Sequence, residues 1–140
     1  MVSTMTERTL VLIKPDGVSR GLTGLILDRY LAKGYALVAM ELRTCTAELA
    51  DEHYADHVSK DWYPPLRAFV TSGPLVAAVL EGPRIIEAVR ALNGATDSIA
   101  AAPGSIRGDW ATSNRENLVH GSDSAESAAR EIGIWFPELA

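Results

Sequence analysis

The sequence has one cysteine, Cys45, so no disulfide can form within the chain, a pattern that fits a reducing compartment. No apolar run approaches the ~18 residues of a membrane-spanning helix. Met1 to Glu7 is polar and carries no apolar signal region, so the cytoplasm is the expected location and no membrane partner is expected. A basic excess is also missing: 13 Lys and Arg stand against 18 Asp and Glu, for a net charge of −5. General affinity for nucleic acid needs a basic face, so nucleic acid is not expected as a partner. One bound polyphosphate remains compatible with an acidic chain if a few cations converge. There is no GxxxxGK[ST] loop, no GxGxxG after a strand, no protein-kinase motif set and no HExxH. His53 and His57 are spaced for zinc on a predicted helix, but no third ligand or orienting partner is evident. Two exposed helix histidines is the better reading, and no metal ligand is expected from protein side chains.

What is present suits one compact domain: 140 residues, 47% hydrophobic and 22% charged. We expect a flexible lead-in over 1–7 and a single domain over 8–140, with Met1 and Met5 both open as natural starts. Arg8 to Lys14 reads as a buried strand stopped by a turn at Pro15-Asp16-Gly17. Gly21 to Lys33 has helical spacing and Tyr35 to Arg43 reads as a strand. Thr46 can cap a helix to about Val58. Pro64-Pro65 interrupts the start of Asp61 to Ser72, predicting a bent helix or a helix pair. Pro74 to Leu80 is the most apolar strand, after which Gly82-Pro83 would open a helix to Asn93 with proline at its first position. Asn93 to Asn117 is a long, glycine-containing loop of the kind that often serves function. Leu118 to His120 reads as a short strand, and Asp123-Ser124 as the cap of a last helix that stops before Pro137. The alternation fits an α+β domain, a ferredoxin-like sandwich with a four-stranded antiparallel sheet and covering helices. A small flavodoxin-like parallel sheet is the alternative, and pattern alone does not choose.

His120 follows the long loop at a strand end, before a glycine that permits close approach by another molecule. A neutral imidazole has one free ring nitrogen and can act as a nucleophile if the other is held. Glu131, on the last helix, is placed to supply or organise that hold. Without further context a lone histidine is more often a satisfied, half-buried group. Lys14, Arg90 and Arg107 are cations of the kind phosphoryl transfer needs for charge neutralisation. Each alone is more often a solvated surface charge, and spacing does not show whether they converge.

Several ordered segments together carry more. Ile13-Lys14-Pro15-Asp16-Gly17-Val18 resembles the opening signature of the nucleoside diphosphate kinases, and Asn117-Leu118-Val119-His120-Gly121-Ser122-Asp123-Ser124 resembles that family's phosphohistidine motif. His53-Tyr54, Ser72 to Val76 and Pro103 to Asp109 fall between them in the family's order. The resemblance covers Thr6 to about Pro137. It implies a ping-pong reaction in which ATP phosphorylates His120 and a nucleoside diphosphate then takes the group, with Mg2+ bridging the phosphates. It implies Lys14 near the transferred group and the ribose, and Tyr54 beside the phosphohistidine. Arg90, Thr96 and Arg107 would bind phosphates and Asn117 the ribose. Ser122 and Glu131 would orient the histidine, and Trp62 and Leu66 would form the wall against the base. Assembly as a homo-tetramer or homo-hexamer is also implied.

The sequence departs from that pattern in three places. Trp62 stands where phenylalanine is usual, which keeps and enlarges a stacking surface. Ser98 stands where proline is common, removing a φ restraint from a loop linked to subunit contacts. Glu116 adds an acid before Asn117. These departures motivate one alternative, a catalytically silent nucleotide-binding relative.

Overall fold

β1 (Thr6–Ile13) is buried from Thr9 onward, because it is the second strand from one edge of the sheet and is covered on both faces. The computed structural model describes residues 6–140. Successive β1 side chains point to opposite faces, so Leu10 and Leu12 enter one core and Val11 and Ile13 the other. α1 (Pro15–Ser19), α2 (Thr23–Ala32) and β2 (Ala36–Thr44) follow, then α3 (Ala47–His53), a 3-10 turn at Ala55–His57 and α4 (Tyr63–Val70). β3 (Pro74–Pro83), α5 (Ile85–Asn93), α6 (Ile106–Trp110), β4 (Val119–Gly121), α7 (Ala125–Trp135) and a closing 3-10 turn complete the chain. The sheet order is β2-β3-β1-β4 with every pair antiparallel, which is the ferredoxin-like arrangement and excludes the parallel alternative.

Helices cover both faces. Ile26 and Tyr30 of α2 and Ile85 and Val89 of α5 pack against Val11 and Ile13. Ala50 of α3, Val70 of α4, and Ile132 and Trp135 of α7 pack against Leu10 and Leu12. Thr46 and Ser124 cap α3 and α7 by accepting from Leu49 N–H at 3.1 Å and Ser127 N–H at 3.0 Å, as their positions predict.

Local differences from the expected elements have local causes. Thr6 and Glu7 lie in β1, paired with Pro83 and Gly82, rather than in a lead-in. The rest of that lead-in, Met1 to Met5, falls outside the described residues. The expected turn at Pro15-Asp16-Gly17 is the start of α1, whose first position suits proline. Pro64 and Pro65 lie in the first turn of α4, where the first N–H groups of a helix have no internal partner to lose. Pro83, in contrast, ends β3, and α5 begins after Arg84, which has φ 51°. The long segment after Asn93 contains α6, capped by Ser105 accepting from Gly108 N–H at 3.0 Å. Among the described residues, no helix is long and apolar enough to cross a membrane.

Two glycines make opposite predictions. A Cβ on Gly108 would lie 1.9 Å from Ala102 O, whereas one on Gly24 would meet nothing within 4 Å. Gly108→Ala should destabilise the fold by about 1–3 kcal/mol. Gly24→Ala, in α2, should stabilise it by about 0.4–1 kcal/mol. Paired denaturant titrations will read both, and equal midpoints for the two variants would contradict this packing.

Candidate active site

A cleft of about 1180 Å³ opens at the end of β1 where Lys14 leaves the strand. Its wall includes His120 from β4, Arg90 from α5, and Thr96, Arg107 and Asn117 from the long segment. Tyr54 follows α3, and Trp62 and Leu66 belong to the start of α4. The fold therefore gathers every sequence-predicted site residue except Ser122 onto one wall. Ser122 is fully buried and does not line the cleft.

His120 pairs with Leu12 across β1 and β4, which fixes its backbone against the central part of the sheet. Its Nε2 lies 2.7 Å from Glu131 Oε1. The same carboxylate oxygen accepts from Ser122 Oγ at 2.8 Å, and Ser122 Oγ accepts from Leu10 N–H at 3.3 Å. A backbone amide can only donate, so the serine hydrogen is free to point at Glu131. The carboxylate then accepts from both sides, and Nε2 of His120 must carry hydrogen. Among the described residues, the Nδ1 lone pair of a neutral His120 has no hydrogen-bond partner, the requirement for a nucleophilic imidazole.

The backbone before His120 is bent to match. Leu118 has φ 75°, an uncommon value for a residue with a side chain. Its N–H donates to Asp16 Oδ2 at 3.1 Å and its carbonyl accepts from Lys14 N–H at 2.8 Å. The bend is thus tied to the β1–α1 junction, and Lys14 and His120 reach the same wall. Burial raises the Asp16 carboxyl pKa, opposed by hydrogen bonds from the Gly17 and Leu118 amides.

Lys14 Nζ donates to Asn117 Oδ1 at 2.8 Å. Burial first, and the nearby Arg107 second, lower its pKa to about 8. Arg107 binds three carbonyls: Asn117 O at 3.2 Å, Gly94 O at 2.9 Å and Val119 O at 2.6 Å. It therefore clasps both ends of the long segment while its face lines the cleft. A guanidinium has five N–H donors, so donors remain for an anion. Arg90 is exposed on the rim. Trp62 is 49% exposed and lies 5.0 Å from the His57 ring, so it is a surface aromatic rather than a core one.

His53 corrects the sequence reading. It is buried rather than exposed, its ring centroid is 4.6 Å from that of His120, and its Nδ1 accepts from the Trp135 indole N–H at 3.0 Å. His57 lies apart from that pair, in the 3-10 turn beside Trp62. Helical spacing held the signal, because Ala50 and His53 share the buried face of α3. Gly121 lines the cleft as expected and also admits α5, since a Cβ there would sit 3.0 Å from Val89 Cγ1 and Asn93 Nδ2. Ser98 uses an N–H that proline lacks, donating to Asn114 Oδ1 at 3.1 Å, while its hydroxyl donates to Ser113 O at 2.7 Å. Glu116 is exposed and does not line the cleft.

Divalent cations can be tested against this donor set. His53, His120 and Glu131 each offer a ligand atom within 4.8 Å of the others, a nitrogen-rich group that suits zinc and not magnesium. Magnesium takes oxygens, keeps several waters and typically uses one or two carboxylates with substrate phosphates. Of the three carboxylates on the wall, Glu131 is engaged by His120 and Ser122, whereas Asp56 and Asp123 are exposed. Asp123 is held below the usual carboxylate range by hydrogen bonding from Ser127. The residues fit an ion carried in on phosphate oxygens, with Asp123 available to its water shell.

Comparison with known proteins gives one answer. A family profile described as nucleoside diphosphate kinase matches residues 7–140. A nucleoside diphosphate kinase of Nocardioides sp. is 69% identical over 135 residues, spanning 96% of this chain and 100% of that protein. Among solved structures, a halophilic nucleoside diphosphate kinase from Halobacterium salinarum in complex with CDP superposes with TM-score 0.92 at 46% identity, covering 94% of this chain and 88% of that one. A nucleoside diphosphate kinase family protein from Babesia bovis superposes with TM-score 0.91 at 43% identity, covering 94% and 90%.

The Lys14 ammonium should titrate in the free protein with a midpoint near about 8, read from its side-chain carbon and nitrogen NMR shifts. Because burial disfavours the charged form, added inorganic phosphate should raise that midpoint. A midpoint at the ordinary lysine value, with or without phosphate, would mean the ammonium is solvated and not part of a buried cationic wall.

Proposed function

The chain belongs to the nucleoside diphosphate kinase family, and we infer that it transfers the terminal phosphoryl group of a nucleoside triphosphate such as ATP to a nucleoside diphosphate through phospho-His120. The observation that carries this reading is the state of His120, with Nε2 held by Glu131 and Nδ1 turned loose beside a cationic cleft. In the first half-reaction the Nδ1 lone pair attacks the terminal phosphorus, a P–N bond forms, and the P–O bond to the departing diphosphate breaks. In the second, an oxygen of the incoming diphosphate attacks the same phosphorus and the P–N bond breaks. Glu131 receives the Nε2–H bond throughout and offsets the positive charge that grows on the ring.

Lys14 and Arg107 supply charge at the buried end, with Arg90, Thr96 and Tyr54 on the same wall, where transferred oxygens need donors. Asn117 is placed by its bond to Lys14 to meet the sugar. Trp62 and Leu66 offer a flat apolar surface for a base, worth about 1–3 kcal/mol by analogy with single-strand binders and tolerant of base identity. Asp123, the exposed carboxylate beside the phosphate-binding cations, would help hold magnesium brought in on phosphate oxygens, and the ion would supply charge neutralisation at the outer phosphates. CDP in the halobacterial relative supports a diphosphate-binding role for the equivalent cleft here.

Self-association as a tetramer or hexamer is supported by β2. It is an edge strand, and Leu37, Met40 and Leu42 are 40%, 51% and 64% exposed. An unpaired strand edge with apolar side chains is a template for another chain. The lone Cys45, buried and with its thiol pKa raised to about 11 by burial, suits the cytoplasm.

Brief mixing with ATP and magnesium should add one phosphoryl group to the intact mass, lost again on adding GDP. His120→Ala should show neither change. Folded wild-type protein that binds ATP and gains no mass would instead be the silent relative. Leu42→Lys should yield smaller particles than wild type in sedimentation velocity, and an unchanged mass would take β2 out of the interface.

A further inference from the structure

Two imidazoles meet at the wall of the cleft, and only one of them is assigned a part in the transfer. The rings of His53 and His120 are edge to face, 79° apart with centroids separated by 4.6 Å. A second imidazole lone pair at that distance would be a rival for whatever electrophile His120 attracts. We propose that Trp135 is a positioning residue whose indole N–H fixes His53 as the Nε2–H tautomer, leaving His120 Nδ1 as the only unengaged lone pair of the two rings. The inference rests on the reading of His120 as the phosphoryl acceptor.

An indole nitrogen can donate and cannot accept. Trp135 Nε1 lies 3.0 Å from His53 Nδ1, so Nδ1 must be the unprotonated nitrogen and its lone pair is spent. An imidazole whose Nδ1 accepts is not the doubly protonated cation, so the ring is neutral and its single hydrogen is at Nε2. The partners of the two rings are opposite in kind: a carboxylate accepts from His120 and an indole donates to His53. Of the two rings that line the cleft, His120 keeps an unengaged nitrogen lone pair and His53 does not.

The neighbours of Trp135 hold it in place. It is 2% exposed, the Arg43 guanidinium lies 5.2 Å from its ring centroid, and Arg43 Nη1 donates to its carbonyl at 3.2 Å. The end of α3 that carries His53 is docked by Arg130 of α7, which donates to Glu52 O and His53 O, each at 3.1 Å. The indole and the imidazole are therefore set by two helices clamped together.

The same lock bears on metals. His53, His120 and Glu131 offer three ligand atoms within 4.8 Å of one another, enough for zinc. To ligate through Nε2, His53 would have to move its hydrogen to Nδ1, where it would face the indole N–H. Two donors opposed in a dry site leave both unsatisfied. The indole thereby opposes capture of the nucleophile by a transition metal.

The test uses the whole protein labelled with 15N at histidine and tryptophan. In the wild type, His53 Nε2 should be protonated, and a scalar coupling across the hydrogen bond should join Trp135 Nε1 to His53 Nδ1. A proton on His53 Nδ1 would overturn the proposal. Trp135→Phe keeps an aromatic ring and removes only the donor. It should shift His53 toward the other tautomer and tighten zinc binding, measured with the metal alone by calorimetry, by about 5–150-fold, the ratio that corresponds to relieving one buried unsatisfied donor. Unaltered tautomer and zinc affinity in the folded variant would also overturn it. If the variant does not fold, the wild-type coupling decides. Neither readout uses phosphoryl transfer, so failure of the ATP mass gain and failure of this lock are separate results.

Discussion

Glu131 is a carboxylate almost removed from water, and a buried carboxylate is stable only if donors replace the water it lost. Two donors converge on one of its oxygens, Ser122 Oγ and His120 Nε2. The serine is oriented by the amide of Leu10 in β1, so the demand of one acid on α7 is met through the sheet itself. His120 is thereby aligned by a chain of hydrogen bonds that begins in backbone pairing. The nucleophile inherits the rigidity of the sheet rather than that of the loops around it.

The cations are organised by a related economy. Lys14 is buried and Arg107 half-buried, and burial is the main cause that makes each less basic, with Arg107 adding to the shift of Lys14 and Arg90 to that of Arg107. The unliganded fold tolerates this by lending acceptors: Asn117 to Lys14, and the carbonyls of Gly94, Asn117 and Val119 to Arg107. Positive charge concentrated in a chain with net charge −5 gives an anion a local destination that the overall charge hides.

Much of this was legible in the sequence because it lay in local pattern. The strand periodicity of Arg8 to Lys14, the caps at Thr46 and Ser124, and the ordered motifs around Lys14 and His120 all carried over into structure. What failed was of two kinds. Proline has two meanings at element ends, and pattern did not tell Pro64 and Pro65, which start a helix, from Pro83, which ends a strand. The other failures involve partners distant in sequence. His53 looked like a surface histidine because its indole donor is 82 residues away, and pattern could not show that Gly121 admits α5 as well as lining the cleft. Convergence of Lys14, Arg90 and Arg107 was likewise invisible until the sheet order brought the chain ends together.

Leu118 shows how such a site is kept. A left-handed backbone at a residue with a side chain costs about 1–2 kcal/mol, which glycine would remove. Yet Leu118 is fully buried, and burying a leucine contributes about 1.5–3 kcal/mol. The two terms pull in opposite directions, and burial outweighs strain. Glycine would relax the bend and hollow the core; a β-branched residue would fill the core and oppose the bend. Drift at this position therefore meets resistance on both sides before any effect on chemistry is counted. The chain geometry beside the nucleophile is protected from random substitution by the ordinary requirement to stay folded.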